Sequence, residues 1–247
     1  PRYNGGGNCV HWISDIKLSP FDSDTALFNT GTGLFMITGL ASGDVLVKPF
    51  CEGIEETVHL NVYTTPHGRN RIIDIIGDLG GFAFEDYDSE CENSFANENG
   101  DRYITCLNAD LTLSDPEYIV ATPRGNWTGK TKGGLILSKD CGSTWERLPM
   151  PRGLSEFIDQ KLDNIEKPNV DSGWTAISAD GKRIMWAVAG GRGFSNKAVC
   201  YTDDEGKTWQ KSIFTDSNGN SADEHNVKIF SDYYNSDLFF AIAEREN

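Results

Sequence analysis

The chain has 247 residues, of which 38% are hydrophobic and 11% aromatic, which is enough to bury a sizeable core in one β-rich domain. Acidic residues outnumber Lys and Arg by 37 to 22, and the net charge of −15 disfavours phosphate backbones and anionic membranes. No apolar run approaches the roughly 18 residues of a membrane span. These features exclude nucleic acid and membrane as expected partners and favour a neutral ligand.

Short apolar strands recur along the whole chain. Residues 1–8 are Gly-rich and are predicted to be a connecting segment, and strand patterns begin at Val10. Turns rich in Ser, Asp, Pro or Gly then precede compact apolar runs at residues 26–28, 72–76, 118–120, 184–188 and 238–242. The centres of these runs are Leu27, Ile75, Ile119, Met185 and Phe239, at intervals of 48, 44, 66 and 54 residues. Such intervals are close to the length of a four-stranded blade and predict an all-β fold with about four blades of a β-propeller.

A second repeat concerns a turn. Residues 138–145 and 202–209 share the pattern S/T-x-D-x-G-x-T-W. Asp140 and Asp204 are predicted to close outer hairpins by accepting turn amides, the Gly supplies a positive φ, and the Trp packs back between strands. We therefore assign these carboxylates a structural role. Residues 153–169 fit either a short helix or a long loop between blades, and their sequence does not decide between them.

Residues 72–84 contain the most informative turn. The apolar run IIDIIG ends at Asp78, which is flanked by Gly77, Gly80 and Gly81, and the run resumes as a strand. Little side-chain bulk surrounds this carboxylate, so it is able to meet a large ligand directly. We expect Asp78 at the end of an innermost strand, facing the propeller axis or the open face. The alternative is an Asp that only hydrogen-bonds its own turn, which is a common use of Asp beside Gly.

The sequence indicates neither a metal nor another cofactor. The six cysteines are widely spaced with no C-x-x-C pair, and no two histidines lie four residues apart. The even number of cysteines is compatible with disulfides, but their pairing does not follow from sequence.

The order of several segments is similar to that of a known family. The segments WISDIKLSPFDSD, TGTG, GIEET and GDLGGF succeed one another within residues 12–82, and SKDCGSTW, AISADGKRIMW, TDDEGKTW and FSDYYNSDLFFAIA follow. This succession resembles glycoside hydrolase family 74 over nearly the whole chain, and in particular the opening of the second of its two seven-bladed propellers. The family contains xyloglucan-cleaving endoglucanases and chain-end-specific relatives. The aspartate of its GD-x-GG turn is the catalytic general acid, and Asp78 matches it.

The resemblance implies a function and a domain organisation. It implies an inverting endo-β-1,4-glucanase, secreted, acting on xyloglucan, whose general base comes from a T-D-x-G-G turn of the first propeller. No second turn of that kind occurs here, so residues 1–247 are expected to be a partial second propeller of a longer polypeptide. Gly80 and Gly81 are expected at the substrate site beside Asp78. Trp12, Trp127 and Trp174 are candidates for stacking on sugar rings, whereas Trp186 and the tryptophans of the repeated turns are expected in the core.

Two alternatives remain open. One is a non-catalytic propeller that binds carbohydrate or protein, since propellers host many functions. An Asp in a Gly-flanked turn argues against it, because a binding module does not need that carboxylate. The other is a sialidase-like enzyme, suggested by the repeated turns alone, but the acidic chain shows no obvious Arg cluster for a sialic acid.

Overall fold

The computed structural model describes residues 12–31, 33–53, 57–91, 93–188, 198–220 and 224–245. These residues divide into two compact units, and the division falls between Thr57 and Val58. The predicted connecting segment, residues 1–8, lies outside the described part, as does most of the GIEET segment. Within the described part, no helix is long and apolar enough to cross a membrane.

The first unit contains one antiparallel sheet in which four strands follow chain order. Its strands are β1 (Asp15–Leu18), β2 (Ala26–Thr30), β3 (Gly33–Thr38) and β4 (Leu46–Pro49). Phe28 and Phe35 are opposite each other in the β2–β3 register, and their rings stack with centroids 5.4 Å apart. This aromatic pair is buried and forms the centre of the sheet's packed face.

The second unit contains three four-stranded antiparallel sheets and one two-stranded sheet. The first sheet comprises β5 (Val58–Thr64), β6 (Ile72–Gly77), β7 (Gly80–Phe84) and β8 (Asn93–Ser94). The second comprises β9 (Cys106–Leu111), β10 (Ile119–Pro123), β11 (Ile136–Ser138) and β12 (Glu146–Arg147). The third comprises β13 (Gly173–Ile177), β14 (Ile184–Val188), β15 (Val199–Thr202) and β16 (Gln210–Lys211), and the last sheet pairs β17 (Glu224–Ser231) with β18 (Phe239–Arg245).

Each pair of consecutive sheets in the second unit encloses its own core. Ile73 and Ile75 of the first sheet pack with Ile119 and Ile136 of the second. A further cluster joins the second and third sheets, and a smaller one joins the third sheet to β17 and β18. Stacked up-and-down sheets with cores between their faces are the blades of a β-propeller. The predicted fold class is therefore confirmed.

The five predicted apolar runs all lie on the second strand of a sheet, namely β2, β6, β10, β14 and β18. Strands β6, β10 and β14 are packed on both faces, so each reads as a nearly continuous apolar run, whereas Phe240 and Ile242 of β18 are exposed. The longest interval between runs, 66 residues, contains helix α1 (Glu156–Ile165). Its N-cap is Ser155, whose hydroxyl accepts from the Ile158 amide at 3.2 Å. Residues 153–169 thus contain a helix.

Side chains on the first strand of one sheet accept hydrogen bonds from main-chain amides on the first strand of the next sheet. The Asn108 side-chain carbonyl on β9 accepts from the Thr175 amide on β13 at 2.7 Å, and the Asp110 carboxylate accepts from the Ile177 amide at 2.9 Å. Asp110 also accepts from the Ser231 hydroxyl on β17 at 2.7 Å. One buried carboxylate therefore connects three consecutive sheets.

The two S/T-x-D-x-G-x-T-W segments form the same turn between the third and fourth strands of their sheets. Asp140 accepts from the amide and the hydroxyl of Thr144 at 2.8 and 2.6 Å, and Asp204 bonds Thr208 in the same way at 2.8 and 2.7 Å. The hydrogen bond from the Thr208 hydroxyl lowers the pKa of Asp204 to about 2. Both carboxylates accept hydrogen bonds from residues of their own turns, which agrees with the structural role assigned to them.

Candidate active site

Asp78 occupies the tip of the hairpin that joins β6 to β7. The last paired residues are Ile76 and Gly80, so residues 77–79 form the turn. Asp78 has a φ of +63°, a left-handed conformation that few non-Gly residues adopt without cost. Its side chain is exposed, whereas the β6 strand that leads to it is buried. The turn therefore presents a carboxylate to solvent from a rigid base.

Gly80 and Gly81 lie buried beneath this turn. A Cβ on Gly80 would stand 2.8 Å from the Tyr103 carbonyl oxygen, and one on Gly81 would stand 2.7 Å from the Asp74 carbonyl oxygen. Both distances are shorter than a Cβ contact allows, so any other residue would force the main chain to shift. Gly80 lets the turn pack closely on the segment before β9, and Gly81 lets β7 pack closely on β6. Their contact with substrate remains a prediction.

Thr105 fixes the turn from the neighbouring sheet. The Asp78 amide donates to the Thr105 hydroxyl oxygen at 2.9 Å, and the Gly80 amide donates to the Ile104 carbonyl at 3.0 Å. The Thr105 carbonyl in turn accepts from the Arg124 amide at 2.7 Å. No local pattern in the sequence indicated Thr105, because it bonds Asp78 across 27 positions.

Arg124 extends this cluster toward the third sheet. Its guanidinium forms an ion pair with Asp171, and both side chains are largely buried. Arg124 follows β10 directly, and Asp171 precedes β13 by two residues. The pair thus ties the second and third sheets together at the end where Thr105 holds the Asp78 turn.

Trp127 projects from the loop that begins at Arg124. Asn126 is buried and holds this loop, because its side-chain oxygen accepts from Thr128 and Thr131 at 2.8 and 3.2 Å. The Thr131 hydroxyl donates to the Asp101 carbonyl at 3.0 Å, which anchors the loop to the preceding sheet. The Trp127 side chain is 68% exposed. A flat indole on a braced loop is available for stacking, and the role of Trp127 in sugar binding stays a prediction.

The other two predicted tryptophans have different surroundings. Trp174 on β13 is half-buried, with its ring 6.0 Å from Phe230 and 5.0 Å from the Lys228 ammonium, so it packs between the third sheet and β17. Trp12 belongs to the first unit and is 84% exposed. Their binding roles stay predictions. Trp186 is fully buried, as expected for a core residue.

The carboxylate of Asp74 on β6 has different surroundings from the exposed carboxylate of Asp78. Asp74 is buried and lies 2.8 Å from the His59 imidazole, so its side chain is already engaged within the sheet. Among the described residues no group of three or more His, Cys, Asp or Glu side chains is arranged to hold a metal ion. The five described cysteines, Cys51, Cys91, Cys106, Cys141 and Cys200, form no disulfide with one another.

The position of Asp78 within its sheet differs from one expectation. The first strands β9, β13 and β17 face one another through the Asp110 links, so they are the innermost strands. Asp78 was expected at the end of such a strand, but it lies between the second and third strands of its sheet. It does not line either of two surface depressions of the second unit, of about 450 and 590 Å³. Asp78 is exposed to solvent at the tip of its turn.

A solved structure shares the fold of this chain. The crystal structure of the GH74 xyloglucanase from Xanthomonas campestris superimposes with a TM-score of 0.60 at 21% identity, covering 92% of this chain and 28% of that one. This likeness supports the β-propeller fold. No family model matches the sequence.

Proteins that are similar in sequence to this chain are also named xyloglucanases. A xyloglucanase from Paenibacillus is 26% identical over 237 residues, which cover 94% of this chain and 20% of the relative. An oligoxyloglucan-reducing end-specific xyloglucanase from Emericella nidulans is 27% identical over 184 residues, covering 72% of this chain and 21% of the relative. The chain spans about a fifth of the length of these relatives. The resemblance to glycoside hydrolase family 74 xyloglucanases is confirmed.

Proposed function

We propose that this chain is part of an inverting endo-β-1,4-glucanase that cleaves xyloglucan outside the cell, with Asp78 as its general acid. The observation that carries the proposal is the Asp78 turn. An exposed carboxylate stands at the tip of a rigid, Gly-flanked hairpin, in a chain that aligns over most of its length with xyloglucanases. A polysaccharide is able to approach such a carboxylate because Asp78 is exposed at the tip of its turn.

The chemistry follows from the geometry of inversion. The acid donates its proton to the leaving glycosidic oxygen, while a base on the opposite face of the sugar activates water, with the two carboxyls about 6.5–9.5 Å apart. We assign the base to the first propeller of a longer polypeptide, and we place the substrate between the two propellers. Trp127 is assigned to stacking on a sugar ring beside the acid, with Trp12 and Trp174 as further candidates. Gly80 and Gly81 are assigned to the same site as the residues that let the main chain beneath Asp78 pack closely.

The test is Asp78→Asn in the full-length enzyme. Loss of the proton donor should lower turnover on xyloglucan by about 10²–10⁴-fold, the usual contribution of a positioned acid. An aryl glycoside with a leaving group that needs no protonation should recover much of that loss. Asp232→Asn, which changes a hairpin Asp between β17 and β18, is the matched control and should retain turnover.

Three results bear on the alternatives. Full turnover by Asp78→Asn would remove Asp78 from the mechanism, and xyloglucan binding without hydrolysis by the full-length wild-type protein would favour the non-catalytic binding module. Release of the product as the α-anomer, followed by NMR, is expected from inversion. The purified 247-residue chain should be inactive because it lacks the assigned base, and measurable hydrolysis by it would contradict the two-propeller assignment.

A further inference from the structure

The contact between Asp78 and Thr105 joins an exposed residue to a buried one. Thr105 is 4% exposed, and its hydroxyl oxygen accepts from the Asp78 amide at 2.9 Å, whereas the Asp78 side chain faces solvent. The carboxylate itself is therefore left free of this contact, and only the main chain of Asp78 is held. Such a contact fixes the position of the carboxylate without forming a hydrogen bond to the carboxylate itself.

The Asp78 main chain needs this support. A non-Gly residue at a φ of +63° is in a sparsely populated conformation, which persists only when the surrounding structure holds it. Gly77 and Gly80 in the same hairpin supply little resistance, since glycine is conformationally permissive. The hydrogen bond to the Thr105 hydroxyl holds the main chain at the tip of the turn.

Thr105 is itself fixed at several points. Its carbonyl accepts from the Arg124 amide, and the neighbouring Ile104 carbonyl accepts from the Gly80 amide. Gly80 and Thr105 form a parallel bridge between the first and second sheets. Because the Trp127 loop begins at Arg124, the same residue connects the base of that loop to the Asp78 turn.

We propose that Thr105 is a positioning residue for Asp78, holding the main chain of the turn so that the carboxylate is aimed at the glycosidic oxygen. The proposal rests on the proposed function of Asp78. A displacement of about 1 Å in a catalytic group is able to cost up to 10²-fold in rate. Thr105 acts through Asp78 and contacts neither the substrate nor the reacting atoms.

The first test compares Thr105→Val with Thr105→Ser in the full-length enzyme. Valine has nearly the same shape but no acceptor, so turnover on xyloglucan should fall about 10–100-fold, while KM should change by about 2-fold or less because binding contacts are kept. Serine keeps the hydroxyl and should restore most of the turnover. The loss in Thr105→Val should largely disappear on an aryl glycoside that needs no protonation, which a merely structural defect would not produce.

The matched control is Thr65→Val. Thr65 is equally buried, and its hydroxyl donates to the Asn70 carbonyl at 2.6 Å in the loop between β5 and β6, at the other end of β6 from Asp78. This variant loses one buried hydroxyl without touching the Asp78 turn. Its thermal unfolding should shift about as much as that of Thr105→Val, but its ratio of activities on the two substrates should equal that of the wild type.

A second test needs no activity. Amide hydrogen exchange of Asp78, followed by NMR in the 247-residue chain, should be about tenfold faster in Thr105→Val, since exchange follows local opening, and unchanged in Thr65→Val. An unchanged exchange rate would overturn the proposal, as would Thr105→Val with wild-type turnover when Asp78→Asn is inactive. Full turnover by Asp78→Asn would instead overturn the proposed function together with this inference, so the two failures are distinguishable.

Discussion

Trp127 owes its exposure to residues that hold the loop beneath it. Asn126 and Thr131 satisfy one another inside the loop, so the indole is presented by a structure that does not depend on ligand. Stacking of a sugar on such a ring is expected to be worth about 0.5–1.5 kcal/mol, the range measured for aromatic pairs. Trp127 therefore belongs to the small set of residues whose removal should weaken binding without weakening the fold.

Trp127→Ala should raise KM for xyloglucan about 2–12-fold, which corresponds to that energy. Trp127→Phe should lose less because it keeps a flat ring, and the unfolding temperature of both variants should match the wild type. Tyr234→Ala is the control, since Tyr234 is 91% exposed in the hairpin between β17 and β18 and has no assigned role. An unchanged KM in Trp127→Ala would remove Trp127 from the binding site.

At the scale of secondary-structure elements, the carboxylates of the repeated turns serve the fold, because they form hydrogen bonds within their own turns. Asp140 accepts from Ser138 and twice from Thr144, and burial, which alone would raise its pKa, is outweighed by these hydrogen bonds, so the pKa of Asp140 is lowered. All of these bonds stay within the turn between β11 and β12. The turn should therefore tolerate loss of the carboxylate only at a cost in stability.

Asp140→Ala should lower the free energy of unfolding by about 1–3 kcal/mol, because the Thr144 amide and two hydroxyls lose their acceptor. Urea unfolding of the 247-residue chain measures this change, and Asp140→Asn, which keeps one acceptor oxygen, should lose less. Turnover per folded molecule of the full-length enzyme should be unaffected. A loss of turnover with unchanged stability would assign Asp140 to chemistry instead.

Much of this element structure was predictable because local sequence determines it. The second strands β6, β10 and β14 are buried on both faces, and the repeated turns carry their own acceptors and glycines. Helix α1 was predictable in principle from Ser155 and the apolar residues Ile158, Leu162 and Ile165, whose spacing of four and three places them on one face. Thr105 and the Arg124 pair with Asp171 were not predictable, since each contact depends on how separate sheets pack. The sequence therefore indicated the candidate acid but not what holds it.

At the scale of the whole second unit, Asp110 joins three sheets through a buried carboxylate. Burial raises the pKa of Asp110 to about 6 against its ordinary 3.8, although hydrogen bonds from Ile177, Ser231 and Leu111 oppose the shift. Tyr63 and Tyr233 are the titratable neighbours, and burial raises the pKa of both, so they stay neutral in this range. A carboxyl with a raised pKa in the folded state stabilises the fold below pH 4 and loses that contribution as the pH rises through 6.

Asp110→Asn should therefore change the pH dependence of stability. Relative to the wild type, the variant should gain free energy of unfolding as the pH rises from 4.5 to 7, by about 1–3 kcal/mol for a shift of this size. Asn108 is a precedent within the same strand, since its neutral amide already caps Thr175 in the neighbouring sheet. Urea unfolding at several pH values measures the difference, and parallel curves for the two proteins would contradict it.

Antiparallel connectivity places the turn between the second and third strands and the turn between the third and fourth strands at opposite ends of a blade. The candidate acid belongs to the first kind, and the self-contained clasps of Asp140 and Asp204 belong to the second. Mutations that alter stability and mutations that alter the proposed substrate contacts are thus expected on opposite rims. An engineer, or natural selection, is able to vary one rim while leaving the other alone, so durability and selectivity need not be traded against each other.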